Sequence, residues 1–286
     1  MKITEYPSAT DLTDDNVFLI DGPSGTKTIA KSDLVYALFN NIPEMHNKIY
    51  RGKNLGTTLT SGQKAAIENG TFDDIWVGDY WQISSQKYYV AHIDYFTDST
   101  YPHTVVVFPN VTAASVAWDS TTSGGAMGGI SYTQSTLYRT DLPNYIANTI
   151  PGTFKSNLAE HSTLLNSASS GTNPYGNTST SSVKRSANVP SIVHILGRGN
   201  PYELLRQTSG WYDQGHTSDG EKKFSLFDFV NAGDLGITRA FWTVDQNGPI
   251  GIAITPSGVG GFSNDTITYR NKNDALSMLA YFVIHG

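Results

Sequence analysis

The sequence predicts a mixed α+β protein: a short hairpin and helix, then a large domain of short antiparallel strands and long loops. Two patterns and one composition point there. Tyr89, Ala91, Ile93 and Tyr95 alternate with Tyr88, Val90, His92 and Asp94, the two-residue period of a half-buried strand. Ser61 to Asn69 and Tyr138 to Ile150 instead carry helical signals. Twelve per cent of the 286 residues are aromatic, only 15% are charged and 27 are Gly, which suits strands, turns and contact surfaces.

The same composition excludes several classes. There is no Cys, so no disulfide framework, thiolate metal site or cysteine nucleophile exists. Nineteen basic against 25 acidic residues give a net charge of −6, which argues against a nucleic-acid surface. No apolar run approaches the roughly 20 residues of a membrane span. The polar, acidic opening MKITEYPSATDLTDD lacks the basic flank and apolar stretch of a signal peptide, so synthesis in a cytoplasm without general export is expected.

Element by element, Val17, Phe18, Leu19 and Ile20 form an apolar run, Asp21 to Gly25 a turn, and Thr26 to Ile29 the return strand. Ser32 or Asp33 then caps a short helix with Leu34, Val35, Leu38 and Phe39 on its apolar side. A lone hairpin is marginal in water, so residues 1–40 need a docking partner. Residues 41–71 are polar and read as a connector, with a helix over Ser61 to Asn69 stopped by Gly70. From Phe72 to residue 286 strand signals dominate: Ile75–Val77, Tyr80–Ile83, Tyr88–Phe96 and Thr104–Phe108, the last suited to burial on both faces by its run Val105 to Phe108.

A helix capped near Thr140 or Asp141 places Pro143 in its first turn, and Pro151-Gly152 ends it. The Ser, Thr, Asn and Gly-rich stretch after Leu165, up to Pro190, reads as a long surface loop. Further strands are expected at Ile192–Leu196, Phe224–Phe227, Phe241–Val244, Ile250–Thr255, Val259–Phe262 and Leu279–His285. Asp245 to Gly248 and Thr255 to Gly258 supply turns between neighbours.

Catalytic signatures are weak. Gly22 to Thr28 lacks the spacing of a phosphate-binding loop, and Gly258 to Gly261 leads into no helix. His92 and Asp94 share one strand face, a pairing open to a metal or a general base but also to plain solvation. His161 with Ser162, and His216 with Asp213 and Asp219, have no accompanying G-x-S-x-G elbow. Asp14-Asp15 and Asp73-Asp74 are adjacent and point apart on an extended chain, so neither is a glycosidase pair. Among the C-terminal strands and loops, Trp242, Asp245, Gln246, Asn247, Asn264, Asp265, Tyr269, Arg270, Asn271 and Asn273 give the amide-and-aromatic mixture of binding loops. The alternative is that the polar ones make turns and the aromatics are core.

GTFDDIWVGDYWQI, the Tyr-rich strand ending HIDYF, HTVVVFPN, FSLFDF, AFWTVDQNGPIGIAITPSGVGGFSNDTITYRN and the terminal YFVIHG together resemble structural proteins of bacteriophages of gut Firmicutes. NVFLIDGPSGTKTIAKSDL is similar to their virion-anchoring segments. That resemblance implies a C-type-lectin-like domain over 72–286, used in some phages as a receptor-binding head. The calcium-lectin motifs E-P-N, Q-P-D and W-N-D have no counterpart here, where Asn173-Pro174-Tyr175, Asn200-Pro201-Tyr202 and Trp242 to Asp245 stand instead, so no calcium and no particular sugar is implied.

The expected function is therefore a phage virion surface protein, such as a head fibre, collar or tail-tip adhesin. Val17, Phe18, Leu19, Ile20, Ile29, Leu34 and Leu38 would hold it to other virion proteins, as a homo-oligomer such as a trimer. Trp242, Asp245, Asn247, Asn264, Asp265, Tyr269, Arg270 and Asn271 would bind a host-surface glycan or protein. No enzymatic activity, cofactor, metal, nucleic acid or membrane partner is expected. The rivals are a ligand-free decoration protein and a glycan or cell-wall hydrolase.

Overall fold

A computed structural model describes residues 17–22, 25–30, 34, 38–39, 42–110, 114–120, 131–166, 180–197, 222–247, 250–259 and 263–286. Strands β1 (Val17–Gly22) and β2 (Gly25–Ala30) pair antiparallel, Val17 opposite Ala30, as a two-stranded sheet of their own. Leu34, Leu38 and Phe39 are helical, with Leu38 exposed. The expected caps Ser32 and Asp33 lie outside the described residues.

The large domain begins before Phe72, which corrects the reading of 41–71 as a connector. Helix α1 (Pro43–His46) places His46 flat on Trp76, ring centroids 4.0 Å apart, and His46 Nδ1 lies 2.6 Å from the carbonyl of Ile75. Helix α2 (Ser61–Glu68) opens on a capping box between Thr60 and Gln63, and Leu55, Leu59, Ala66 and Ile67 are buried. Few apolar residues in a polar stretch suffice, because all four face inward. The chain's last residue packs on α2 too: a Cβ on Gly286 would stand 2.3 Å from the Lys64 carbonyl.

One five-stranded sheet has the order β3 (Tyr80–Ile83), β4 (Gln86–Ile93), β5 (Val105–Pro109), β14 (Tyr281–Ile284), β9 (Ala187–Asn188). β5 and β14 are buried at every position, as expected of strands covered on both faces. The regular alternation expected of β4 is broken. Residues 88–91 are all buried, and a register shift between Val90 and His92 marks a bulge. Ile75–Val77 forms no strand; its residues run through turns in which Phe72 and Asp74 take positive φ.

The second sheet has the order β12 (Thr266–Asn271), β11 (Ile250–Thr255), β10 (Phe241–Asn247), β13 (Ala275–Met278), β6 (Ala114–Ala117). A further hairpin joins β7 (His161–Asn166) to β8 (Thr180–Arg185). β8 and β9 correct the long-loop reading after Leu165, because Val183, Ala187 and Val189 of that polar stretch are buried. Residues 167–179 lie outside the description.

Helical residues fall where strands were expected at two places. Ile192–Leu196 is helix α5, capped by Ser191 and closed by Gly197 at φ 69°; Ser225–Asp228 is a 3-10 turn. The two segments meet directly, the Phe224 N–H donating to the His194 carbonyl at 2.8 Å. Helix α3 (Leu142–Asn148) carries Pro143 in its first turn, as expected, but the expected cap near Thr140 or Asp141 is not formed, because Asp141 is itself helical and makes no side-chain cap hydrogen bond. It is preceded by a wide turn over Leu137–Asp141, in which the Leu142 N–H reaches back to the Leu137 carbonyl. That widening suits a following proline, which has no N–H to donate and clashes with the carbonyl four residues back. Helix α4 (Gly152–Lys155) follows. Of the strand expected over Val259–Phe262, Val259 lies in a turn and residues 260–262 are outside the description.

Candidate functional site

The C-terminal residues expected to form one binding surface are distributed by the sheet. In β11–β12, Ile250 pairs with Asn271 and Gly251 with Arg270, while Thr255 pairs with Thr266 at the opposite end. Asn247, paired with Ile250, therefore gathers with Arg270 and Asn271 at the β10–β11 hairpin end. Asn264 and Asp265 stand beyond the other end of β12, about 17 Å away at strand rise. β12 is an outer strand of its sheet, and Asn264, Arg270 and Asn271 are exposed. The side chains of Asn247 and Tyr269 lie outside the description, as does that of Gln246.

Three of the eight expected contact residues are turned to architecture. Trp242 is fully buried, its indole N–H donating to the Val116 carbonyl at 2.9 Å, and its ring fills the space over Gly251, where a Cβ would stand 2.7 Å from it. A ligand has no route to stack on it. Asp245 accepts the N–H of Ile192 in the first turn of α5 at 2.7 Å, a favourable place for a carboxylate, although burial pushes its pKa up to about 6. Asp265 takes the N–H of Ala232 at 2.7 Å and that of Ser257 at 2.8 Å, and so ties two loops together. The sequence signal for these roles was present only as the ambiguity of Asp and Trp near turns.

The histidines come together as no spacing suggested. His92, His161 and His194 lie in one aromatic cluster with Tyr95, Phe96, Phe224 and Tyr281. His194 stacks on Phe224 at 4.3 Å, and His161 Nε2 is 3.2 Å from the Tyr281 hydroxyl, which also meets Thr163 Oγ1 at 2.9 Å. The backbone N–H of Ser225 donates to His92 Nδ1 at 3.0 Å, and that of Ser191 donates to His194 Nδ1 at 3.1 Å. An accepting Nδ1 carries no proton, so both rings are held neutral. Burial pushes His161 down to about 3 and His92 to about 4, the latter helped by Lys222 and Lys48; His194 is pushed well below its ordinary range.

His92 and Asp94 do not act together. Asp94 leaves the strand at φ 57° and accepts from His103 at 3.0 Å and the Thr104 N–H at 2.9 Å. His161 Nε2 meets Tyr281 rather than the neighbouring Ser162, which is exposed. Asp14, Asp15, Asp213, His216, Asp219 and the two Asn-Pro-Tyr sequences lie outside the described residues. Among the described residues no group of three or more His, Asp or Glu is placed to hold a metal ion, and no helix is long and apolar enough to cross a membrane.

The most distinctive motif, GTFDDIWVGDYW, is built around one carboxylate. Asp79 is fully buried and accepts from Arg51 Nε at 3.0 Å and Nη2 at 2.5 Å, the Lys53 N–H at 2.9 Å and the Trp76 N–H at 2.8 Å. Burial pushes its pKa up, and those donors hold against it. Arg51 and Lys53 also pair with the exposed Asp74, each at 2.5 Å. No protein family, curated protein or solved structure matches this chain.

Proposed function

We propose that this chain is a phage virion surface protein, joined to the particle by its N-terminal hairpin and adhering non-covalently to the host surface through its large domain. The observation that carries the reading is the hairpin. β1 and β2 form a separate two-stranded sheet, and an isolated hairpin of this size is marginal without a partner. Other virion proteins, or further copies of this chain in a homo-oligomer, are the partners that reading supplies. A C-type-lectin-like assignment of the large domain goes with it. Its support is the looped, mixed architecture in which the last strand, β14, lies inside a sheet and the final residue packs on α2.

Adhesion would use exposed polar groups such as Asn264, Arg270 and Asn271, without a cofactor or catalysis, and weak single sites would gain from many copies on one particle. Removing residues 1–40 tests the anchor: incorporation into particles should be lost while the remainder folds, and normal incorporation would overturn it. A ligand-free decoration protein is the second reading, favoured by the structural employment of Trp242, Asp245 and Asp265. It predicts that the purified protein does not bind host cells, whereas adhesion predicts binding that weakens when Arg270 and Asn271 are replaced by alanine.

A further inference from the structure

Among the described residues only four large hydrophobic side chains are exposed: Leu38, Ile42, Tyr50 and Phe229. Leu38 lies in the N-terminal segment and Ile42 immediately before α1. The other two, remote in sequence, lie together on the large domain as a tilted pair, with ring centroids 6.0 Å apart and planes inclined at 44°. Scattered exposed apolar residues need no explanation, but two exposed aromatic rings brought together from distant parts of the chain do.

Tyr50 is held rather than loose. Its ring lies over two glycines: a Cβ on Gly78 would stand 2.3 Å from it and one on Gly52 3.3 Å. Both glycines take positive φ, at 86° and 72°. The Arg51 N–H that follows is fixed to the Val77 carbonyl at 3.1 Å. An exposed aromatic fixed by its own backbone loses little freedom when a ligand arrives.

The charges beside the pair select the ligand. Arg51 and Lys53 are matched by Asp74 and Asp79, so the neighbourhood is balanced and favours neither an anion nor a cation. Two rings also fall far short of the roughly 20 residues a side of a stable protein interface. A neutral pyranose fits both facts: one face of its ring is C–H and apolar, suited to an inclined aromatic pair, and its rim is hydroxyl.

We infer that Tyr50 and Phe229 form a stacking platform for a neutral hexopyranose of a glycan chain. The site deepens the adhesion reading by naming its ligand class, and it lies outside the C-terminal residues assigned to that role. Its test is direct binding by the purified full chain, by calorimetry and saturation-transfer NMR, with cellotetraose, N-acetylated chitotetraose and mannotetraose as probes. At least one should bind, with transfer strongest to the ring C–H protons, and Phe229→Ala should weaken it by about tenfold or more. Phe229→Trp keeps the stacking surface and should retain binding. The unfolding midpoint of each variant reports whether the fold is intact. No binding of any probe, or undiminished binding by a folded Phe229→Ala, overturns the inference. No particle is involved, so failure here leaves the virion-anchor test standing, and failure there leaves this one.

Discussion

Lowering the pH from 8 to 5 should remove a large share of the domain's stability through His92, His161 and His194. The sign follows from the direction of the shifts. Each residue has a folded pKa below its ordinary 6.5, so the unfolded chain binds protons that the folded one refuses. The contribution is intact above about pH 6.5 and is lost as pH falls towards the folded values. At pH 5 the loss is governed by protonation of the unfolded state, about 2 kcal/mol per residue and about 6 kcal/mol for three. Asp245 works the other way. Raised to about 6 by burial, it returns about 1 kcal/mol over the same interval. The net loss of about 5 kcal/mol is comparable with the whole stability of a marginal domain. Urea unfolding of the full chain at pH 8 and pH 5 measures it. In His161→Gln, which cannot charge, the difference between the two pH values should shrink by about 2 kcal/mol, whatever the variant costs at either pH. A stability independent of pH between 8 and 5, or an unchanged difference in the variant, would refute the reasoning.

Other outcomes follow from the packing. Gly251→Ala places a methyl group against the Trp242 ring and should cost about 1–3 kcal/mol by forcing that ring aside; chemical denaturation reads it directly. Asp265→Ala deprives the Ala232 and Ser257 N–H groups of their acceptor. It should cost about 2 kcal/mol and speed amide exchange at both positions, whereas a purely ligand-facing Asp265 would leave exchange unaltered. A chain begun at Phe72 loses Arg51, Leu55, Leu59 and Ile67, and should fail to give a cooperative transition where one begun at Asn41 succeeds. Equal cooperativity of the two would restore the connector reading.

The sequence carried the strands well where burial and period agreed. β5 and β14 are apolar throughout and sit inside a sheet, while the β1–β2 and β10–β11 turns announce themselves by Gly, Pro and Asn. It misled where a few inward residues did the packing. Residues 41–71 look polar because Leu55, Leu59, Ala66 and Ile67 are spaced widely, and β8 is hidden in a Ser/Thr-rich stretch whose Val183 alone among its first residues is apolar. Ile192–Leu196 reads as a strand on composition, but Ser191 and Gly197 bound it with helix signals that outweigh β-branching. The histidine cluster had no local signature, since 69 residues separate His92 from His161 and 33 separate His161 from His194; only the tertiary fold makes them neighbours.

The fate of GTFDDIWVGDYW bears on where recognition can reside. Each of its unusual features answers to an internal need. Gly70 and Gly78 make room for His103 and Tyr50, Asp79 gathers Arg51 and two backbone N–H groups, Trp76 covers His46, and the Trp81 indole donates to Gln63. A motif so occupied reports the fold and has little left to offer a ligand. Trp242 repeats the pattern at the C-terminal end. On the adhesion reading proposed above, recognition would fall to side chains that the fold supports but does not consume: Arg270 and Asn271 at one end of the outer strand β12, and the Tyr50–Phe229 pair, whose Tyr50 is seated on Gly78. Substitution at those positions should change binding and spare stability, whereas substitution at the buried Phe72 or Trp81 of the motif should do the reverse, so comparing the two effects separates scaffold from contact surface.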